Sequence, residues 1–280
     1  MTKPAINRLY RLLPLLLAVL LGLSIAVSVA ADEPPRPGKV AGEKSMGTPA
    51  AIHEQLKARL VGWPENALVN GAALPGEGRA FLLRVATDTW RGLQAFTDRE
   101  NGLPLDNVRF GEATVDVAQA VIGDYTTPTN IGLRLIALGA AMDLRLIERA
   151  QAARAAATIL STLERLERYK GFYFNYYDTT SLERSSHFVS FVDSAWLTAG
   201  LMAARQTFPE LDQRCSQLIR QSDYSFFLDT GLQQMYQGYA VDKRRYAEHH
   251  YGMLYSEARL GSLIAMGKGD VPPGHWYSMQ

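Results

Sequence analysis

From Glu77 onward the apolar positions recur mainly with helical spacing. In EGRAFLLRVATDTWRGLQAFTD, Phe81, Leu82, Val85, Trp90, Leu93 and Phe96 fall on one face, which predicts an amphipathic helix. TPTNIGLRLIALGAAMDLRLI is apolar almost all round, so it reads as an inner helix, with Thr126 or Thr127 as cap and Pro128 in its first turn. ERAQAARAAATILSTLERLERY turns Ile159, Leu160, Leu163 and Leu166 inward and its Arg and Glu residues outward. FVSFVDSAWLTAGLMAARQTF is again nearly all apolar, and ELDQRCSQLIRQSDYSFF is amphipathic. GMLYSEARLGSLIAMG is apolar with two charges set in it, and Gly267 is the expected stop.

Inner, apolar helices thus alternate with outer, amphipathic ones, joined by loops rich in Gly, Asn, Asp and aromatic residues. That order predicts an all-α, helical-hairpin (α/α) barrel, with an irregular helical bundle as the alternative. One loop stands out. GFYFNYYDTTS, from Gly171 to Ser181, sets five aromatic rings around Asn175 and closes on Asp178. Tyrosine hydroxyls need partners when buried, so the stretch is either a buried hairpin or the floor of a site for a flat polar ligand such as a sugar ring.

The first 51 residues follow another pattern. Lys3, Arg8 and Arg11 precede an apolar run from Leu12 to about Ala31, with small residues at Ser28 and Ala30. This predicts a secretory signal over 1–31 and a periplasmic or secreted protein, the alternative being an uncleaved membrane anchor. Residues 32–51, rich in Pro, Gly and charge, read as a flexible leader, and 52–280 as one folded domain. A net charge of +1 gives no reason to expect nucleic acid or an acidic partner. With Cys215 as its one cysteine the chain forms no internal disulfide, so packing must supply its stability.

Candidate chemistry rests on carboxylates in apolar helices, because burying an unpaired charge is costly. Asp193 lies in FVSFVDSAWLTAGL and Glu257 in MLYSEARLGSLIAM. Read blandly, Asp193 caps its helix and Glu257 pairs with Arg259 or Arg134. Read functionally, two acids beside an aromatic loop suit glycoside hydrolysis, and an acid in an apolar wall stays protonated near neutrality, which fits Glu257 best. Tyr125 and Asn130, at a helix start, offer partners for sugar hydroxyls, as does Arg259. Trp196 and Trp276 are candidate sugar platforms, while Trp90 reads as core. His249 and His250 are adjacent and poorly placed to share one ion, so no metal and no cofactor is expected. HExxH, CxxC, P-loop and GxSxG signatures are absent from the sequence.

Four colinear segments carry a wider resemblance: YTTPTNIGLRLIALGAAMDL, LERLERYKGFYFNYYDTTSLE, FVSFVDSAWLTAGLMAARQTFPEL and YSEARLGSLIAMGKGDVPPGHW. Together, over about Phe81 to Trp276, they resemble the glucoamylase-like (glycoamylase) domain of bacterial endo-β-1,2-glucanases and of the middle region of cyclic β-1,2-glucan synthases. The resemblance implies an (α/α)6 toroid acting on β-glucan, with β-1,2-linked glucan as the expected substrate, as a glycoside hydrolase or transglycosylase. It implies Glu257, in YSEAR, as general acid. It implies Asp193, in VDSAW, as a site aspartate, and Tyr177 and Asp178, in NYYDT, as part of the sugar-facing loop, where Asn175 and Asp178 would read hydroxyls. Only about the first half to two-thirds of such a toroid is expected here. This implies a truncated gene product, a homo-oligomer or a partner chain completing the barrel, or a non-catalytic carbohydrate-binding or assembly subunit.

Overall fold

The computed structural model describes residues 49–67, 74–76, 78–110 and 117–280. The expected signal, 1–31, and nearly all of the expected leader lie outside the described residues. The first described helix, α1 (Pro49–Arg59), begins within the stretch read as leader. No helix among the described residues is long and apolar enough to cross a membrane.

Among the described residues six further α-helices follow: α2 (Gly78–Ala95), α3 (Pro128–Asp143), α4 (Arg149–Leu163), α5 (Phe191–Thr207), α6 (Asp212–Gln221) and α7 (Ala258–Lys268). The two nearly all-apolar segments become α3 and α5, and α5 packs against α3, α6 and α7. The closest approach is backbone on backbone. A Cβ on Gly132 would lie 2.2 Å from the carbonyl oxygen of Trp196, and one on Gly200 would lie 2.4 Å from that of Gly132. Gly261 of α7 gives similar room to the Phe191 ring, which a Cβ there would meet at 2.4 Å. Three glycines therefore let the inner helices close to a distance that no other residue permits.

The amphipathic segments lie outside. Helix α4 starts with a reciprocal capping box between Glu148 and Gln151. Paired ion pairs join α4 to the α6 region: Arg149 to Glu210 at 2.9 Å and Arg214 to Glu164 at 2.8 Å. Such solvent-exposed pairs contribute little to stability.

The helix-rich fold also carries short strands in its loops. Among the described residues, ten strands of two or three residues form four small sheets. They shape the loops between helices. Arg168–Tyr169 (β3) pairs with Phe172–Tyr173 (β4) across a turn at Lys170 and Gly171, both at positive φ. Phe188–Ser190 (β5), read as the start of a helix, pairs instead with Gly238–Ala240 (β8) and delivers the chain to α5. The remaining strands are β1 (Val108–Arg109), β2 (Val121–Ile122), β6 (Leu228–Asp229), β7 (Gln234–Tyr236), β9 (Arg245–Tyr246) and β10 (His250–Tyr251). Two smaller expectations also change. Leu82 of α2 is exposed rather than on a buried face, and α7 runs through Gly267 to stop at Gly269, whose φ of 80° suits glycine.

Candidate functional site

The starts of the three inner helices converge, and each contributes a polar group. Thr127 caps α3, its hydroxyl accepting from the Asn130 amide at 3.2 Å, with Pro128 at the first position. Ser190, not Asp193, caps α5. Asp193 is thereby freed from capping and turns to α3, where the Thr129 hydroxyl donates to its Oδ1 at 2.6 Å. One turn along α5, the indole Nε1 of Trp196 donates to Oε2 of Glu257 at 3.1 Å, immediately ahead of α7. Glu257 pairs with neither Arg259 nor Arg134. The close glycine packing below fixes all three starts, because Gly132 follows Thr129 by three residues and Gly261 follows Glu257 by four.

A third carboxylate completes the cluster. Asp106, in GLPLDNVRF, accepts from Asn130 Nδ2 at 2.7 Å, and its own amide donates to the Tyr125 carbonyl at 2.9 Å. The Tyr125 side chain also bonds Asp106, and its ring meets Tyr176 edge-on at 5.6 Å. Thr129 and Asn130, adjacent in sequence, thus hold one carboxylate each.

The electrostatics tie the group together. Glu257 is pushed above the usual glutamate range by desolvation first; the Trp196 bond opposes this and the nearby Asp193 charge adds to it. Asp106 is raised in the same way, by desolvation ahead of the Asn130 and Tyr125 bonds that lower it and the Asp193 charge that raises it. The Tyr251 phenol is raised by burial, then by Glu257 and Asp193. Asp193 therefore faces all three groups. The expectation of a buried Glu257 is corrected: Glu257 and Asp106 are both open to solvent, while Asp193 and Trp196 are half-buried. Groups desolvated enough to shift yet accessible from solvent can be met by a ligand.

The aromatic loop belongs largely to the core. Phe172, Phe174 and Tyr177 are at most 2% exposed, so Tyr177 has no ring face for a sugar. Its hydroxyl donates to the Glu167 carbonyl at 2.6 Å and accepts from the Phe174 amide at 2.8 Å, which makes it a post inside the hairpin. Asp178 is also occupied: its Oδ1 accepts from the amides of Thr180 at 3.0 Å and Ser181 at 2.8 Å, holding a turn. Asn175 donates its amide to Phe188 at 2.8 Å, and its side-chain oxygen is buried without a partner. Neither Asp178 nor Asn175 is aimed at the cluster by these bonds. Tyr176, half-buried against Tyr125, is the loop's contribution to the site. Arg259 is exposed, and Trp276 packs on the core.

Sequence reasoning missed Asp106, Thr129 and Tyr251. Asp106 sits after a Leu-Pro-Leu run outside any periodic element, so no pattern pointed to it. Thr129 was findable, since it lies in the first turn of an inner helix beside Asn130. Among the described residues no three His, Cys, Asp or Glu side chains are grouped to hold a metal ion.

Comparison with known proteins agrees with this architecture. A 124-residue stretch is 34% identical to the cyclic β-(1,2)-glucan synthase NdvB of Rhizobium meliloti (strain 1021), covering 44% of this chain and 4% of that protein. The endo-β-1,2-glucanase of Chitinophaga pinensis, solved with sophorotriose and glucose, shares the fold at a TM-score of 0.56 and 15% identity, over 72% of this chain and 50% of its own. A Bacteroides uniformis protein provisionally assigned as a glucoamylase does so at 0.55 and 18%, over 68% and 47%. The chain spans about half the length of these solved relatives and a small part of the synthase. The resemblance to the glucoamylase-like domain read from the sequence therefore stands. A family model described as "Protein of unknown function (DUF3131)" matches residues 84–262, more than half of the chain, and the chain belongs to that family.

Proposed function

We propose that this chain acts on β-1,2-linked glucan, cleaving or transferring at a glycosidic bond with Glu257 as proton donor. The observation that carries the reading is the setting of Glu257. Its carboxyl is raised by desolvation first and by the facing Asp193 charge, against the Trp196 indole N–H that lowers it. A carboxyl raised above the usual glutamate range and open to a ligand is better placed than an ordinary one to protonate a leaving-group oxygen. Asp193 and Asp106 are the candidates for the second carboxylate that either hydrolytic geometry needs. Tyr125, Asn130 and Tyr176 lie beside these carboxylates and suit sugar hydroxyls and ring faces.

The likeness to the synthase segment and to the glucanase fold supports β-1,2-glucan as the substrate class. Incubating the full chain with linear β-1,2-, β-1,3- and α-1,4-glucans, with chromatography of the products, tests it. Short oligosaccharides from the β-1,2 polymer alone fit the proposal, and products from another glucan instead contradict it.

The solvent exposure of Glu257 and the nearly bare Tyr255 ring, 89% exposed, favour a second reading in which the cluster binds glucan without cleaving it. Saturable binding with no product would select that reading. Exposed Met202 on α5 and Leu263 on α7 suit a surface that a second copy or another chain covers in a fuller toroid. Export by the N-terminal segment is part of the same proposal. N-terminal sequencing of protein recovered outside the cytoplasm, beginning at Ala31 or Asp32, would support it, and an intact Met1 would not.

A further inference from the structure

A cavity of about 240 Å³ lies away from the carboxylate cluster, between α2, α3 and α4. By the liquid-volume share of one water it has room for about eight. Its wall includes Arg134, on the flank of α3 away from Asp193, together with Trp90, Gln94, Arg99 and Asp98.

Arg134 is 4% exposed, and its Nε and Nη1 are buried with no hydrogen-bond partner. Its contacts are neutral: Nη2 donates to Gln94 Oε1, and the guanidinium carbon sits 4.7 Å from the Trp90 ring centre. Burial pushes the guanidinium down to about 9, which still leaves it a cation at neutral pH. Other charges at the cavity do not balance it. Asp98 is engaged by Arg59 at 2.7 Å, and its Oδ1 accepts from the amides of Glu100 and Asn101. Arg99 donates to the carbonyls of Arg59 and Leu60 and has no carboxylate partner among the described residues. An uncompensated buried cation with idle donors is costly; Nε and Nη1 lie on opposite edges of the guanidinium, so one anion meets one of them, with the second N–H of Nη2 as its fork partner, and offsets part of that cost. The guanidinium fork matches a carboxylate or phosphate in a bidentate way.

We propose that this cavity is a second binding site, for a small oxyanion of the carboxylate or phosphate class, gripped by Arg134 with Arg99 at the mouth. The apolar wall of Leu138, Ile147, Ala155 and Ile159 leaves space for a short hydrocarbon body behind the charged end.

The test is thermal unfolding of the full chain in phosphate, acetate, benzoate or chloride at matched ionic strength, with titration calorimetry of any anion that acts. Phosphate against the two carboxylates identifies the anion class, and benzoate against acetate reads the apolar wall. The wild-type protein should melt about 5 °C higher at a hundredfold excess over the dissociation constant of the preferred anion. Two variants separate a site from a salt effect. Arg134→Met keeps the stem and removes the charge; Ala155→Leu fills the cavity and leaves Arg134 in place. Both should lose the anion-specific rise. If Arg134→Met fails to fold, Ala155→Leu alone decides. Equal melting in all four salts, or a rise that persists in Ala155→Leu, overturns the proposal.

Discussion

Gly132 and Gly200 meet backbone to backbone: a Cβ on Gly200 would lie 2.4 Å from the Gly132 carbonyl oxygen. This contact sets the spacing of α3 and α5, and with it the 2.6 Å bond from Thr129 to Asp193. Gly200→Ala should lower unfolding stability by about 1–3 kcal/mol, the usual cost of overpacking. It should also weaken glucan turnover, although residue 200 touches no ligand. Denaturant unfolding and a product assay on the same variant check both, and an unperturbed variant would remove the packing account.

The raised carboxyls carry a pH signature. Glu257 and Asp106 have folded-state values above their unfolded ones, through desolvation first. Their contribution to stability is therefore fully present below the unfolded carboxylate range and is lost as pH rises through the folded values. Glu257→Gln and Asp106→Asn mimic the protonated forms. Each should match or exceed wild-type melting near pH 7, and that advantage should shrink below about pH 4. Melting curves at the two pH values test it; variants less stable than wild type at neutral pH would reverse the sign.

Trp196→Phe removes the indole N–H that lowers Glu257 and keeps most of the ring. The alkaline limb of the pH–rate profile for glucan turnover should then move to higher pH, because less opposes desolvation. A limb that stays put would mean that another group sets it.

Tyr177→Phe separates core from site. Losing the hydroxyl strands the Phe174 amide and the Glu167 carbonyl, so stability should fall by about 1–3 kcal/mol. Glucan affinity should be unchanged within error. A variant of normal stability that binds glucan more weakly would restore the loop to the ligand.

Helical periodicity made the inner and outer helices legible, because burial on one face or all round leaves a pattern that needs no tertiary information. Asp193 in α5 and Glu257 just ahead of α7 stood out in sequence as charges in apolar stretches. The loops were not legible. GFYFNYYDTTS looks like a binding surface in sequence, yet long-range pairing buries it. Tyr177 bridges Thr126, and Asn175 bonds Phe188, contacts that local patterns do not encode. Asp106 was invisible for a related reason. Its role comes from Asn130, 24 residues away, and not from its neighbours.

The most direct test compares wild type and Glu257→Gln on linear β-1,2-glucan, with product release and glucan affinity measured on the same preparations. The account predicts short oligosaccharides from wild type, at least a hundredfold fewer from the variant on the order expected for a lost proton donor, and comparable affinity for both. Equal product from the two proteins would contradict the assignment of Glu257 as proton donor.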